Sequence, residues 1–465
     1  MSLEEKVTLI KHLETNFAVI EWKIGTLDVW PMIRSEFVFF GSGKKKVVVE
    51  KYSVWRVIRQ LFSTCNLILK SIEKSQLVVT SDTKRTKQGH RFIDFLHKKL
   101  GIGYDDIVVA EVNAKKDMLI PNVGYPVYHL IYFFDRYARL KGFFKREKLE
   151  ASEFEEVVMY LKSIQSPAIE LFDFKRIEKK AQQMLSIYSV WSSILKKAKI
   201  KRVLMEAYYG IFSLALCAAS EDQRIPVIEM QHGVQGPKHL GYGSFSKLPA
   251  HGYNTIPDVF WVWTKSDASN IDSWVSKTIK HESYVGGYTN LVELKTKKLD
   301  SKKPNILFTT QPVEGYLPDS LSHLIKETAN DFDWYFRLHP RQIEEEEKVK
   351  VDLGGHGILD IVDIETLTRG SAVDALSQVD LHLTLWSSCV IEAHMLGVPS
   401  ILLHENGLVL YEGQMDDLNA TFPNKLTQEI INDMITKRHG GTIGLCNGSV
   451  EDAASLAYYR KHRSV

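Results

Sequence analysis

The chain is 465 residues long, more than one hydrophobic core usually serves, and it divides naturally into two domains of about 200 residues each. With 44% hydrophobic and 25% charged residues it has a soluble globular composition, and 59 Lys and Arg against 57 Asp and Glu leave a net charge of +2, so no global field favours nucleic acid. Four scattered cysteines, Cys65, Cys217, Cys389 and Cys446, form no CxxC pair, which argues against a cysteine zinc site or a disulfide framework and fits a reducing cytoplasm.

The opening MSLEEKVTLIKHLETNF lacks a long apolar core and does not read as a secretory signal, and no run approaches ~18 apolar residues, so no membrane span is expected. Residues 1–74 set Trp22, Trp30, Pro31, Arg34 and Trp55 among helix-like segments and read as a helical N-terminal cap. A first α/β domain is expected over 75–288. Its LVVTS strand (77–81) runs into the polar, basic loop SDTKRTKQGHR, where Asp82 is a candidate acceptor-binding residue. Residues 104–112 and 125–132 are strand-like. The stretch 136–148, RYARLKGFFKREK, then places six Lys or Arg and one Glu around Tyr137, Leu140, Phe143 and Phe144, a pattern suited to peripheral contact with anionic lipid. Residues 150–199 read as long helices, with Leu161, Ile164, Leu171 and Phe174 at helical spacing. From residue 200 strands and helices alternate: KRVLME, the helix YYGIFSLALCAASEDQR, IPVIEM, DVFWVW, the helix KSDASNIDSWVS and SYVGGY.

The Lys-rich run after Tyr288, NLVELKTKKLDSKKPN, marks a domain boundary. A second doubly wound domain is expected over 289–448, from PNILFTTQP through WYFRLHPRQ and GILDIVD to VDLHLTLWSSCVIEAHMLGVPSILLH. That last stretch predicts a β-turn-α-β unit in which Ser387 and Ser388 offer an N-cap and Glu392 lies one turn beyond Ser388. Residues 449–465 predict a terminal helix.

Ligands of open parallel sheets bind beyond the carboxyl ends of the strands, so the residues just after each strand are the candidates. In the second domain these are Thr310 and Gln311, the 337–341 loop with Arg337, His339 and Arg341, and Ser387, Ser388 and Glu392. Pro340 breaks its strand and leaves two guanidiniums and an imidazole at one mouth, suited to a pyrophosphate or nucleoside monophosphate. The serine turn offers hydroxyls and backbone N–H groups to phosphate, and Glu392 could accept from ribose hydroxyls. In the first domain the candidates are Glu206 and Tyr208 after KRVLM, and Gln231 and His232 after IPVIEM. Glu206 is expected to open a helix, and Gly233 and Gly236 permit positive φ and close approach of a ligand. Glu206 and His232 are the titratable groups directly after strands of this series. Glu206 is the first choice for base or nucleophile, with His232 orienting the acceptor or acting as the base instead, and Tyr208 and Gln231 lie on the acceptor side.

His339-Pro340, Ser387-Ser388, Glu392-Ala393, Gly397 and Pro399 resemble the motifs of bacterial glycosyltransferases of the GT-B architecture, closest to the sialyl-, polysialyl-, Kdo- and glycerophosphate transferases of capsule and lipopolysaccharide assembly. The likeness spans roughly residues 200–440. It implies an α/β fold of two doubly wound Rossmann-like domains facing across a cleft, with a helical N-terminal extension. It further implies a CMP-, CDP- or UDP-linked sugar donor held by His339 and the serine turn, a glycan or lipid-linked glycan acceptor, no metal, and a cytoplasmic or peripheral inner-membrane location. The Glu-Ala pair is more typical of relatives using uridine nucleotides, where Glu392 would hold ribose. Two other readings stand beside transfer: an isomerase similar to nucleotide-sugar 2-epimerases, and a non-catalytic nucleotide- or glycan-binding protein.

Overall fold

The computed structural model describes residues 1–40, 54–81, 85, 89–111, 127–129, 147–276, 278, 280–289, 299–412, 414–438 and 448–463. It divides into two compact units, Met1–Leu291 with Cys446–Val465, and Val292–Leu445. Each is built on a parallel sheet, so the chain holds two doubly wound Rossmann-like domains and an N-terminal helical extension, the components of the GT-B architecture.

The first unit begins with helices Leu3–Asn16, Trp30–Phe39 and Val54–Glu73. Ser2 and Glu5 close a capping box on the first, and Pro31 sits in the first turn of the second, where its missing N–H costs nothing. Between these helices lie strands the helical reading did not include: β1 (Lys23–Ile24) and β2 (Leu27–Asp28) pair antiparallel, and β1 also pairs with β6 (Leu149–Glu150). Two-residue strands have no period to read. Trp22, Trp30 and Phe37 are fully buried in the same core as Val79, Val203 and Met205 of the main sheet. At about 1.5–3 kcal/mol for each large side chain removed from water, the extension is part of that core energetically.

The main sheet of this unit has seven strands: β3 (Gln76–Thr80), β4 (Ile107–Glu111), β5 (Val127–His129), β7 (Arg202–Met205), β8 (Val227–Met230), β9 (Val259–Val262) and β10 (Glu282–Val285). Their order is β10-β9-β8-β7-β3-β4-β5, every neighbour parallel. Runs such as LVVT, VLM and VFWV are buried on both faces, as a helix-covered parallel sheet requires. The chain winds from β3 outward to β5, returns through helices Phe154–Ser163 and Phe174–Leu195, and resumes at β7 on the other side of β3. The winding reverses between β3 and β7, the place where such sheets bind ligands.

The terminal helix Val450–Arg463 belongs to this unit, burying Val450, Ala453 and Ala457 beside Val78, Phe92 and Trp261. Its approach depends on two glycines. The Gly448 N–H donates to the Gly286 carbonyl at 3.1 Å, and a Cβ on Gly286 would stand 1.9 Å from the Trp261 ring.

The second unit's six strands are β11 (Asn305–Thr309), β12 (Asp333–Arg337), β13 (Val362–Asp363), β14 (Leu381–Thr384), β15 (Ser400–Leu402) and β16 (Ala420–Thr421). Their order, β13-β12-β11-β14-β15-β16, repeats the winding of the first sheet, with the reversal between β11 and β14. The strand expected over GILDIVD shrinks to Val362–Asp363. Among the described residues no helix is long and apolar enough to cross a membrane, and no group of three or more His, Cys, Asp or Glu could hold a metal ion. Of the basic stretch 136–148, residues 136–146 lie outside the described residues.

Candidate active site

At the second sheet's reversal the candidate side chains divide into those that build the site and those that face out of it. Thr310 is buried, and its hydroxyl donates to Gln342 Oε1 at 2.7 Å and accepts from the His339 N–H at 3.0 Å. Gln311 Oε1 accepts from the Trp386 N–H at 2.9 Å and joins the ends of β11 and β14. The Arg337 guanidinium bonds the carbonyls of Leu367, Thr368 and Gly370 and anchors that loop to the end of β12. The sequence reading aimed all three at a ligand; the structure spends these contacts on holding the loops.

His339 is half-buried and Arg341 is exposed. His339 Nδ1 accepts from the Arg341 N–H at 3.1 Å, which leaves the ring proton on Nε2 as a donor. Burial first, and then the Arg341 charge, hold this imidazole below its ordinary pKa, so near neutral pH it is an uncharged donor beside an exposed guanidinium.

The serine turn departs from the expected cap. Ser388 occupies the N-cap position of helix Cys389–Met395 with right-handed helical φ and ψ and makes no side-chain cap. Ser387 Oγ instead accepts from the Cys389 N–H at 3.3 Å, and the Ser387 carbonyl accepts from the buried Tyr411 hydroxyl at 2.7 Å. Glu392 lies beside the Cys389 thiol, whose pKa is pushed up to about 12 by burial and then by the Glu392 charge. Trp386, half-buried with its ring 4.5 Å from that of exposed His404, was missed in the sequence; its place directly before Ser387 was the available signal for a base- or sugar-stacking surface.

In the first unit Glu206 follows β7 at the reversal and accepts from the Thr80 hydroxyl, which ends β3, at 2.6 Å. It does not open a helix. Ala207 turns left-handed at φ 59° and the helix begins at Ile211, so the helix dipole lies beyond Glu206. That turn sends Tyr208 inward, where it is 3% exposed and its hydroxyl is given to the Gly241 carbonyl. Gln231 is fully buried, donating to the Gly233 carbonyl at 3.0 Å and accepting from the Trp263 N–H at 2.6 Å. Tyr208 and Gln231 thus both turn inward and bond within the protein, because the strand-end rule locates the backbone and says nothing about which way the side chain turns. Gly233 and Gly236 do not take positive φ, although a Cβ on Gly233 would meet open space. Asp82 lies outside the described residues.

His232 is half-buried and at the centre of a polar cluster. Its Nε2 is 3.1 Å from the Tyr209 hydroxyl, and its Nδ1 is 3.3 Å from Glu229 Oε1, an electrostatic contact outside hydrogen-bond geometry. Glu229 is wholly buried and accepts from the Tyr242 hydroxyl at 2.6 Å and from Gln235 Nε2 at 3.1 Å. Burial, reinforced by Glu229, raises the Tyr209 and Tyr242 hydroxyls above their ordinary pKa, so both remain donors. His239, packed 4.9 Å ring to ring on Tyr242, is pushed down to about 4 by burial and the neighbouring His232. A carboxylate on the Nδ1 side favours the proton there, so the Nε2 lone pair accepts from the Tyr209 hydroxyl. The Glu206–Thr80 pair ends the adjacent strand with partners of its own.

No family model matches the sequence, and no curated protein does. Among solved structures the chain is similar to a UDP-GlcNAc 2-epimerase from Methanocaldococcus jannaschii, at 14% identity over 84% of this chain and 99% of that one, with a TM-score of 0.45. It is also similar to the enzyme of that name from Neisseria meningitidis bound to UDP-GlcNAc, at 15% identity over 84% and 100%, TM-score 0.44. MurG of Acinetobacter baumannii is similar at 13% identity over 84% and 98%, TM-score 0.38. At these identities and scores no residue role or substrate passes to this chain.

Proposed function

We propose that the chain is a nucleotide-sugar-processing enzyme whose second domain holds the nucleotide and whose first domain supplies the acid–base group. The observation that carries this reading is the Glu229–His232–Tyr209 cluster: a wholly buried carboxylate, an imidazole 3.3 Å away and a protonated phenol 3.1 Å beyond it, directly after a strand of a Rossmann-like sheet. Such an arrangement moves a proton at one defined atom, His232 Nε2. The second domain supports a phosphate-bearing partner through the His339 Nε2–H, the Arg341 guanidinium and the Ser387–Ser388 turn, with Trp386 for a ring and Glu392 for ribose hydroxyls.

The finer reading is transfer of the sugar to a growing bacterial surface polysaccharide or lipopolysaccharide. In that reaction the acceptor hydroxyl replaces Tyr209 at His232 Nε2 and gives its proton there as the phosphate leaves toward positive charge, and Glu206 is the other candidate for base or nucleophile. An isomerase of the kind named in the epimerase structures would use the same two clusters without an acceptor. Incubation with nucleotide sugars alone separates them: turnover without acceptor establishes the isomerase, whereas transfer requires the acceptor. A thermal-shift panel of CMP, CDP, UDP and GDP tests the shared claim, since a ligand at a hundred times its dissociation constant stabilises by about 2.7 kcal/mol. No shift with any of them contradicts it. Peripheral contact of 136–148 with anionic lipid belongs to the transfer reading, and absence of vesicle binding at low salt removes it.

A further inference from the structure

The N-terminal extension reaches the His232 cluster through one buried ion pair. Glu14 of helix Leu3–Asn16 is 0% exposed and Arg34 of helix Trp30–Phe39 is 2% exposed, and the two are in direct contact. Charges so deeply buried persist only when their remaining hydrogen-bonding capacity is met, and here it is met largely by one loop. Arg34 Nε donates to the Leu240 carbonyl at 2.8 Å, Nη2 donates to the Gly243 carbonyl, and the guanidinium carbon lies 3.6 Å from the centre of the Phe245 ring. Glu14 Oε2 accepts from both the N–H and the hydroxyl of Ser246 at 2.8 Å, and Oε1 accepts from Trp30 Nε1 at 3.0 Å.

The loop so held, residues 237–246, carries His239 and Tyr242. Tyr242 gives its hydroxyl to Glu229, its carbonyl accepts from Trp274 Nε1 at 2.9 Å, and its ring stands against both His232 and Tyr209. The loop packs closely on itself: a Cβ on Gly243 would lie 2.3 Å from the Pro237 carbonyl oxygen.

We propose that the Glu14–Arg34 pair is a positioning device for the active site: it fixes the 237–246 loop and thereby sets the distance from Glu229 to His232. This rests on the reading of His232 as the acid–base group. The groups facing His232 are Glu229 from β8, Tyr209 from the turn before helix Ile211–Asp222, and Tyr242 and His239 from the loop itself. Displacing the loop moves two of the four and loosens the third.

Arg34→Lys tests this, because it keeps a cation beside Glu14 but cannot span the Leu240 and Gly243 carbonyls with one planar fork. Ser246→Ala is the second variant; it removes one contact and strands no charge. The first readout needs no substrate: the His232 imidazole titration followed by NMR. In Arg34→Lys its midpoint is expected to move by about half a pH unit or more, roughly a threefold change in proton affinity, with a smaller shift of the same sign in Ser246→Ala. The second is turnover, expected to fall about tenfold or more in Arg34→Lys, while affinity for the nucleotide giving the largest thermal shift among CMP, CDP, UDP and GDP stays within about twofold. A wild-type titration in folded Arg34→Lys overturns the proposal, and if Arg34→Lys does not fold, a wild-type titration in Ser246→Ala does so. A parallel loss of nucleotide affinity also overturns it, since that would be general damage to the fold. If the titration shifts but His232→Ala retains full turnover, the positioning stands and the functional reading fails.

Discussion

The two sheets wind in the same order, yet their carboxyl edges are built in opposite ways. At the first, charge is taken inside: Glu229 is sealed from water and bonded by Tyr242 and Gln235, and His232 is held over it. At the second, Thr310, Gln311 and Arg337 brace loops beside a half-buried His339 and an exposed Arg341. A buried carboxylate beside an imidazole suits a group that changes protonation during a reaction, and braced loops with outward donors suit a group that binds an anion. On the proposed reading the same topology serves two chemistries, decided by a few side chains after each strand.

The largest expected effect would break that division of labour. His232→Ala should lower turnover by about 10²–10⁴-fold and leave nucleotide affinity nearly unchanged, checked by steady-state kinetics beside calorimetry. If both fall together, the first domain binds the nucleotide and the division is wrong.

Next in size is a difference in acid sensitivity. Each unit holds a neutral histidine: half-buried His239 in the first, and fully buried His382 in the second, where it sits between Thr309 Oγ1 at 2.9 Å and Ser400 Oγ at 3.0 Å. Burial lowers them to about 4 and about 3 respectively. The unfolded chain, with histidines titrating near ~6.5, binds protons that the folded chain refuses. Stability is complete above about pH 6.5 and is lost as pH falls toward about 4 through His239 and about 3 through His382, each contributing on the order of a few kcal/mol. Denaturant midpoints recorded from pH 7 to 4 should fall, and His382→Gln should flatten the dependence of the second unit alone. An unchanged slope in that variant would show that other groups govern it.

A smaller effect sharpens the contrast from the other side. Tyr209→Phe removes one hydrogen bond to His232 Nε2, worth about 0.5–1.5 kcal/mol, and should change turnover by about two- to tenfold without touching nucleotide affinity. A change in affinity by calorimetry would place the nucleotide against Tyr209.

The winding of both sheets was legible because strands such as VLM, VFWV and NILFT announce themselves as buried β-branched and aromatic runs separated by amphipathic helices. His232, His339 and the serine turn were legible as the residues after those strands. Glu229 was not: it lies within a strand whose other residues are apolar, and what makes it tolerable, Tyr242 and Gln235, comes from a loop beyond the strand. The inward turn of Tyr208 had no signal either, since its left-handed residue is Ala207 and not a glycine. Arg34 and Glu14 read as ordinary charges on helices, and their meaning depends on a loop more than 200 residues away.

Calorimetric titration of UDP and CDP into the wild type, His339→Ala and His232→Ala tests most directly where the nucleotide binds. A charge-assisted bond to phosphate is worth roughly 1.5–3 kcal/mol, so His339→Ala should weaken binding by about tenfold or more while His232→Ala binds as the wild type does. Unchanged affinity in a folded His339→Ala, or a loss confined to His232→Ala, would contradict this placement.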